Sequence, residues 1–242
     1  MNIMKVSSYR KDSDITYSLG ATVTMEYLNK KMSDVRAVLL HPDFDSEETK
    51  ERIYSICSAN NIPVETDAKA FNILSKKGNC FVIGVLEKNE TPVLPGSHMV
   101  LVNPSNSGNM GTIIRSCLGF GVKDIAVVPP ACDHYDPKVI RASMGATASV
   151  RIEVFPSFEA YSSRFPENNL YPFMLDGSTK LQKTEIKAPF SLIMGNEATG
   201  LPSSFASIGQ PIRIEHSGDI DSLNITIAAG IGLYEATRNT IT

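Results

Sequence analysis

The chain has 242 residues, 42% of them hydrophobic and 20% charged, with a formal net charge of −3. That balance is ordinary for a globular chain that buries a core without disulfides or a structural metal, and the net charge counts against a surface that attracts nucleic acid on every side, though not against a local basic patch. No run of about 18 apolar residues is present, so no transmembrane helix is expected; Met1 to Lys11 lacks the apolar centre of a signal peptide, and a cytoplasmic location is expected.

In chain order, Ala21 to Lys31 reads as a helix and the β-branched run Val35 to Leu40 as a strand. A helix is predicted from Ser46 to about Asn60, with Glu47 and Glu48 in an acidic first turn. A short strand follows at Ile62 to Glu65. Asp67 caps a helix to about Ser75, and Cys80 to Leu86 is a buried strand. Lys30 with Lys31 and Lys76 with Lys77 are the local basic patches an RNA could use, and they read equally as solvated lysines. The segment from Lys88 to Gly96 carries two prolines and a glycine between apolar runs. It marks a linker, taken as 89–97, between a domain at 1–88 and a second at 98–242.

The second half alternates again. Strands are predicted at Met99–Val102, Ile125–Val128, Tyr171–Leu175, Phe190–Met194 and Pro211–Ile214, and helices at 109–120, 136–143, 157–164 and 222–238. Apolar strands alternating with helices imply an α/β fold with a mainly parallel, doubly covered sheet.

Several chemistries are absent. No GxGxxG opens a βα unit, and no GxSxG elbow is present. Gly195 to Gly200 has P-loop spacing, but Leu201 and Pro202 replace the lysine and hydroxyl residue. Asp43-Phe44-Asp45 lacks the glycine turn and distal ligand of a calcium loop and reads as solvated. The cysteines at 57, 80, 117 and 132 form no metal-ligand pattern, and no metal is expected. Cys57, Cys80 and Cys117 sit in apolar runs and read as small buried hydrophobes.

Three unusual segments remain. Asn103 to Gly121 runs from a strand into a loop of Asn, Ser and Gly and then a helix bearing Arg115; glycines there let backbone approach a ligand. An ordinary βα loop with a surface arginine would read the same way. In Ile193 to Pro202 a buried strand ends at Gly195 and Glu197 follows, where ligands sit in parallel sheets; a carboxylate capping the next turn is the plainer reading. In Ile212 to Arg238 a strand and polar loop lead to Ser222-Leu223-Asn224 and an apolar helix, with Ser222 a routine N-cap on its own. Ala228-Ala229-Gly230-Ile231-Gly232 would allow close helix packing, in the core or across a dimer.

Together these segments resemble the three motifs of the SpoU-type (TrmH-like) RNA ribose 2′-O-methyltransferases of the SPOUT superfamily. The first is Asn109, Gly111 and Arg115; the second is Gly195, Glu197 and Gly200 followed by Leu201; the third is Ser222, Leu223 and Asn224. The stretch from about Val35 to Leu86 is similar to the substrate domain often fused ahead of this catalytic domain, itself similar to RNA-binding ribosomal proteins. One departure is Arg213 and Ile214, where the family often has Pro-Met.

The resemblance implies a C-terminal sheet threaded into a trefoil knot. It implies S-adenosylmethionine as cofactor, held by loops near Leu175, Asp176 and Gly177, near Gly195, Asn196 and Gly200, and near Ile214, Ser222 and Leu223. It implies tRNA or rRNA as substrate and a homodimer, with neither membrane nor metal. Arg115 would stand by the target ribose. Because a guanidinium stays protonated, it would act as anchor and alkoxide stabiliser rather than as a simple base. Asn109 and Asn224 would hold Arg115 or the ribose, Glu197 would orient Arg115 or Asn109, and Ser222 would bond within the site. His216 near the third motif could touch substrate, and an incidental loop histidine is the plainer reading. The alternatives are a non-catalytic RNA-binding protein of the same fold, an enzyme using another nucleotide cofactor, and methylation of a base nitrogen.

Overall fold

The computed structural model describes residues 6–75, 78–177 and 179–240. The first elements are β1 (Ile15–Leu19), α1 (Ala21–Lys30), β2 (Val35–Leu40), α2 (Glu47–Ala59), β3 (Val64–Thr66), α3 (Ala68–Leu74) and β4 (Val82–Glu87). Next are β5 (His98–Val102), α4 (Ser107–Gly119), β6 (Asp124–Val128), α5 (Pro137–Ala142), β7 (Arg151–Val154), α6 (Phe158–Arg164) and β8 (Asn169–Pro172). The chain continues through β9 (Thr179–Lys180), β10 (Phe190–Met194), β11 (Ile212–Arg213) and α7 (Ile225–Thr237).

The residues fall into two compact units, one of Met1–Asn89 with Asp133–Ser149 and one of Glu90–Cys132 with Val150–Thr242. The first has a four-stranded sheet in the order β1-β4-β2-β3, with β4 antiparallel to both neighbours and β2 parallel to β3. Val38, Leu40, Ile53 and Val82 fill one face, and Tyr17, Leu39, Phe71 and Val85 the other. As expected, Asp67 caps α3, its Oδ1 accepting from the Lys69 amide at 2.8 Å.

Two features depart from the sequence reading. The segment 133–149, expected in the second domain, belongs to the first unit. The Thr16 hydroxyl donates to the Tyr135 carbonyl, the Tyr27 hydroxyl donates to Thr147 at 3.0 Å, and Ile140 and Ala148 join the core of that unit. The strand β1 was also not foreseen, because its inward side chains include Thr16 and Ser18. Both are buried, and the Ser18 hydroxyl accepts from the Gly84 amide at 3.2 Å while bonding Thr24 at 2.9 Å. A polar letter thus hides a core position whose hydrogen bonds are made internally. The basic patch at Lys30-Lys31 is half neutralised, since Lys31 pairs with Asp34 at 3.0 Å; Lys76 and Lys77 lie outside the described residues.

The second unit holds a five-stranded, wholly parallel sheet in the order β7-β6-β5-β10-β8. Its strands β5, β6 and β10 are buried along their whole length, which is why they read as unbroken apolar runs. The edge strand β7 was missed because it alternates charge with hydrophobe; its Arg151 forms a forked pair with Asp124, a way to protect a sheet edge. A two-stranded parallel ribbon of β9 and β11 stands apart from this sheet. Phe155, Phe158, Tyr161 and Phe165 cluster over Val100, Ala126 and Ile193. The helix α7 seats Gly232 on the Phe173 ring, where a Cβ would come within 2.6 Å of Cζ.

Candidate active site

Three loops of the second unit meet beyond the ends of their strands. The loop after β8 bridges at Phe173 to Ile212 of β11, and the Met174 amide donates to the Ile212 carbonyl at 2.9 Å. Gly177 lies so close to this strand that a Cβ would sit 2.6 Å from the Ile212 carbonyl carbon. The loop after β10 closes on itself. Asn196 and Gly200 exchange backbone hydrogen bonds of 3.0 and 2.9 Å, with Gly200 at φ 68°. A Cβ on Gly195 would fall inside 3.0 Å of Gly200 and Leu201 backbone atoms. The third loop runs from β11 to α7. There Asn224 Oδ1 accepts from the Thr226 amide at 2.8 Å, so Asn224 rather than Ser222 caps the helix, which starts three residues later than expected.

These loops enclose a cavity of about 330 Å³, within the size range of small-molecule sites. Of the residues expected to hold a cofactor, Leu175, Asp176, Gly195, Asn196, Gly200, Ile214, Ser222 and Leu223 line it, together with Glu197. Gly177 supports the wall without lining it. Phe173, Met174, Met194, Ala198, Thr199, Ile212, His216, Ile225 and Ala228 also line it; Ala198, Thr199 and His216 fall within the loops expected from the sequence, and the others lie beside the motifs without having been assigned to the site. Apolar side chains around closely approaching glycine-bearing backbone suit a flat heteroaromatic ring with hydrogen-bonding edges. A purine nucleoside cofactor fits that description.

Glu197 organises the loop between β5 and α4. Its Oε2 accepts from the Ser105 amide at 3.1 Å and hydroxyl at 2.8 Å; its Oε1 accepts from the Asn106 amide at 3.1 Å and from Asn109 Nδ2 at 3.5 Å. It does not cap the turn after it. That task falls to Asn196, whose Oδ1 accepts from the Ala198 and Thr199 amides at 2.9 and 3.2 Å. Asn106 in turn caps α4, accepting from the Asn109 amide at 3.0 Å. Partial burial pushes the Glu197 pKa up, but the loop amides and the Ser105 hydroxyl outweigh it, and the net shift is downward.

A depressed folded-state pKa contributes stability that is complete above the unfolded value of about 4.3 and is lost as pH falls through the folded value. Glu197→Gln is expected to flatten that acid limb. Whichever way its amide turns, an NH2 group faces the amide of Ser105 or of Asn106. Thermal midpoints of both proteins at steps from about pH 6 to pH 3 check this; parallel curves would place the acid sensitivity elsewhere.

The other expected site residues are not all brought together. Arg115 is exposed on α4, lies outside the cavity lining and forms no ion pair among the described residues. Glu197 therefore reaches Asn109 but not Arg115. The Asn224 carbonyl oxygen is engaged by Thr226, and Ser222 is exposed at the cavity wall.

A family model described as the SpoU rRNA Methylase family matches residues 96–234, more than half of the chain. The chain belongs to the SpoU family. All three loops and Arg115 lie inside the match. Among curated proteins, this SpoU chain is 28% identical over 143 residues to an uncharacterized tRNA/rRNA methyltransferase of Synechocystis sp., covering 58% of the chain and 52% of that protein. It is 33% identical over 146 residues to the 23S rRNA (uridine(2479)-2′-O)-methyltransferase of Streptomyces viridochromogenes, covering 57% of the chain and 51% of that protein. The chain thus spans about half the length of these curated relatives. The AdoMet-bound rRNA methyltransferase of Sinorhizobium meliloti shares the fold with a TM-score of 0.79 at 24% identity, covering 96% of this chain and 90% of that one.

Proposed function

We propose that this SpoU chain transfers a methyl group from S-adenosylmethionine to a ribose 2′-hydroxyl of structured RNA, tRNA or rRNA, in the cytoplasm. The observation that carries this reading is the cavity built jointly by the second and third motifs and the loop after β8. The named activity of the Streptomyces relative, a ribose 2′-O-methyltransferase, supports the ribose over a base nitrogen. The close approach of Gly177 to Ile212, with Phe173 bridged to the same residue, supports a trefoil-knotted arrangement of these loops.

When bound, the cofactor supplies a methyl group on a positively charged sulfur, so the protein's part is alignment and charge stabilisation. Leu175, Ile214 and Leu223 would pack on the nucleoside, and the backbone of the glycine loops would bond its edge. Glu197 would fix the β5–α4 loop and Asn109 beside the substrate. Arg115, exposed and without an ion pair among the described residues, would bind the RNA phosphate or stabilise the 2′-oxygen as its proton leaves. The first unit lies outside the family match up to Asn89 and would bind the substrate RNA, as its likeness to RNA-binding ribosomal proteins suggests. Ile227 and Tyr234 on α7, each 54% exposed, support a homodimer through that apolar helix.

Transfer of labelled methyl from S-adenosylmethionine to separated, unmodified tRNA and rRNA pools, followed by nucleoside analysis, tests this function. Label in a 2′-O-methyl nucleoside is expected in one pool. Label in a methylated base would overturn the ribose assignment, and no cofactor binding would leave the non-catalytic RNA-binding reading.

A further inference from the structure

His216 lies in the third loop and lines the cavity. Its Nε2 is buried and has no hydrogen-bond partner among the described residues. Buried side-chain nitrogens in folded proteins are nearly always paired, and an unpaired one at a cavity wall calls for a physical account. Two polar side chains of the same lining are already engaged: Asn196 Oδ1 with the Ala198 and Thr199 amides, and both oxygens of Glu197 with the loop before α4.

The loop that carries the ring is anchored at both ends. Just before it, Glu215 is ion-paired with Lys180, and the Ile212 carbonyl accepts from the Met174 amide. After it, Asn224 ties the end of the loop to the start of α7. The intervening residues 217–222 are exposed. A loop anchored at its ends thus turns one imidazole inward while its remaining length faces solvent.

We infer that His216 is a cofactor-binding residue whose Nε2 hydrogen-bonds a polar group of the nucleoside cofactor in this cavity. The inference rests on reading the cavity as the S-adenosylmethionine site. It adds a ring nitrogen to a lining of glycine-bearing backbone, apolar side chains and the polar Asp176, Asn196, Glu197, Thr199 and Ser222. The imidazole is neither acid nor base in the transfer; it binds.

The test is calorimetric titration of S-adenosylmethionine and S-adenosylhomocysteine into the wild-type chain, His216→Phe and His216→Gln, with ligand-free melting curves of each. His216→Phe keeps a flat ring and removes the nitrogen. It is expected to weaken both ligands about tenfold, the size of one lost hydrogen bond to a buried group, with no fall in the ligand-free midpoint. His216→Gln, which retains a polar end group, is expected to recover part of that loss. Wild-type affinity in His216→Phe overturns the inference while leaving the cofactor reading intact. A lowered ligand-free midpoint in both variants, with parallel weakening, would make His216 structural and also overturns it. Failure of the wild-type chain to bind either ligand overturns the cofactor reading and the inference with it.

Discussion

Gly195→Ala is expected to weaken cofactor binding by about 5- to 150-fold while leaving the first unit folded. The single added methyl has no space: backbone atoms of Gly200 and Leu201 already lie inside 3.0 Å of where it would sit. Backbone cannot rotate away as a flexible side chain can, so the loop must open. Opening breaks the paired hydrogen bonds between Asn196 and Gly200 and shifts Glu197, which holds the β5–α4 loop. Overpacking of a fixed site costs about 1–3 kcal/mol, which corresponds to roughly a 5- to 150-fold loss in the population of the binding-competent loop. Gly119→Ala is the control, since nothing lies within 4 Å of a Cβ there and alanine suits a helix end. Titration of S-adenosylhomocysteine into both variants decides the matter. Equal binding by Gly195→Ala and the wild-type chain would mean that the loop adapts and that its close approach has no bearing on the site.

Much of this site was legible because its chemistry needs special backbone. Glycines at 177, 195 and 200 stand where a side chain would collide or where φ is positive, so the letters themselves mark the loops. The buried parallel strands were equally readable, since strands covered on both faces carry no polar alternation to obscure them. What escaped the sequence was long-range partnership. Nothing in the letters says that Glu197 bonds Ser105 and Asn106, residues about ninety positions earlier, or that Asn224 and not Ser222 caps α7. The segment 133–149 escaped for the same reason. Its helical pattern fits either half of the chain, and only the bonds of Tyr135 with Thr16 and of Thr147 with Tyr27 assign it to the first unit. His216 could be placed near the third motif but not assigned, because its significance lies in a buried nitrogen without a partner among the described residues, a property that exists only once the loop is folded.

Arg115→Ala is expected to lower methyl transfer by about 100- to 1,000-fold, the usual consequence of removing one preorganised charge stabiliser. Cofactor affinity should stay within about twofold, because Arg115 lies outside the cavity lining. Stability should also hold within about 0.5 kcal/mol, since the side chain is exposed and has no ion pair among the described residues to lose. The separation of these readouts is the point. A structural arginine would lose stability and cofactor binding along with rate, whereas an arginine that only meets RNA loses rate alone. Arg115→Lys then distinguishes two roles. Lysine keeps the positive charge but not the planar fork, so a point-charge role tolerates it and bidentate recognition of a phosphate does not. A guanidinium that stays protonated is a poor proton acceptor. A rate that survives in Arg115→Lys would place Arg115 as an electrostatic stabiliser of the 2′-oxygen. A rate that falls to the Arg115→Ala level would assign it to gripping the RNA backbone, with KM for RNA rising as kcat falls.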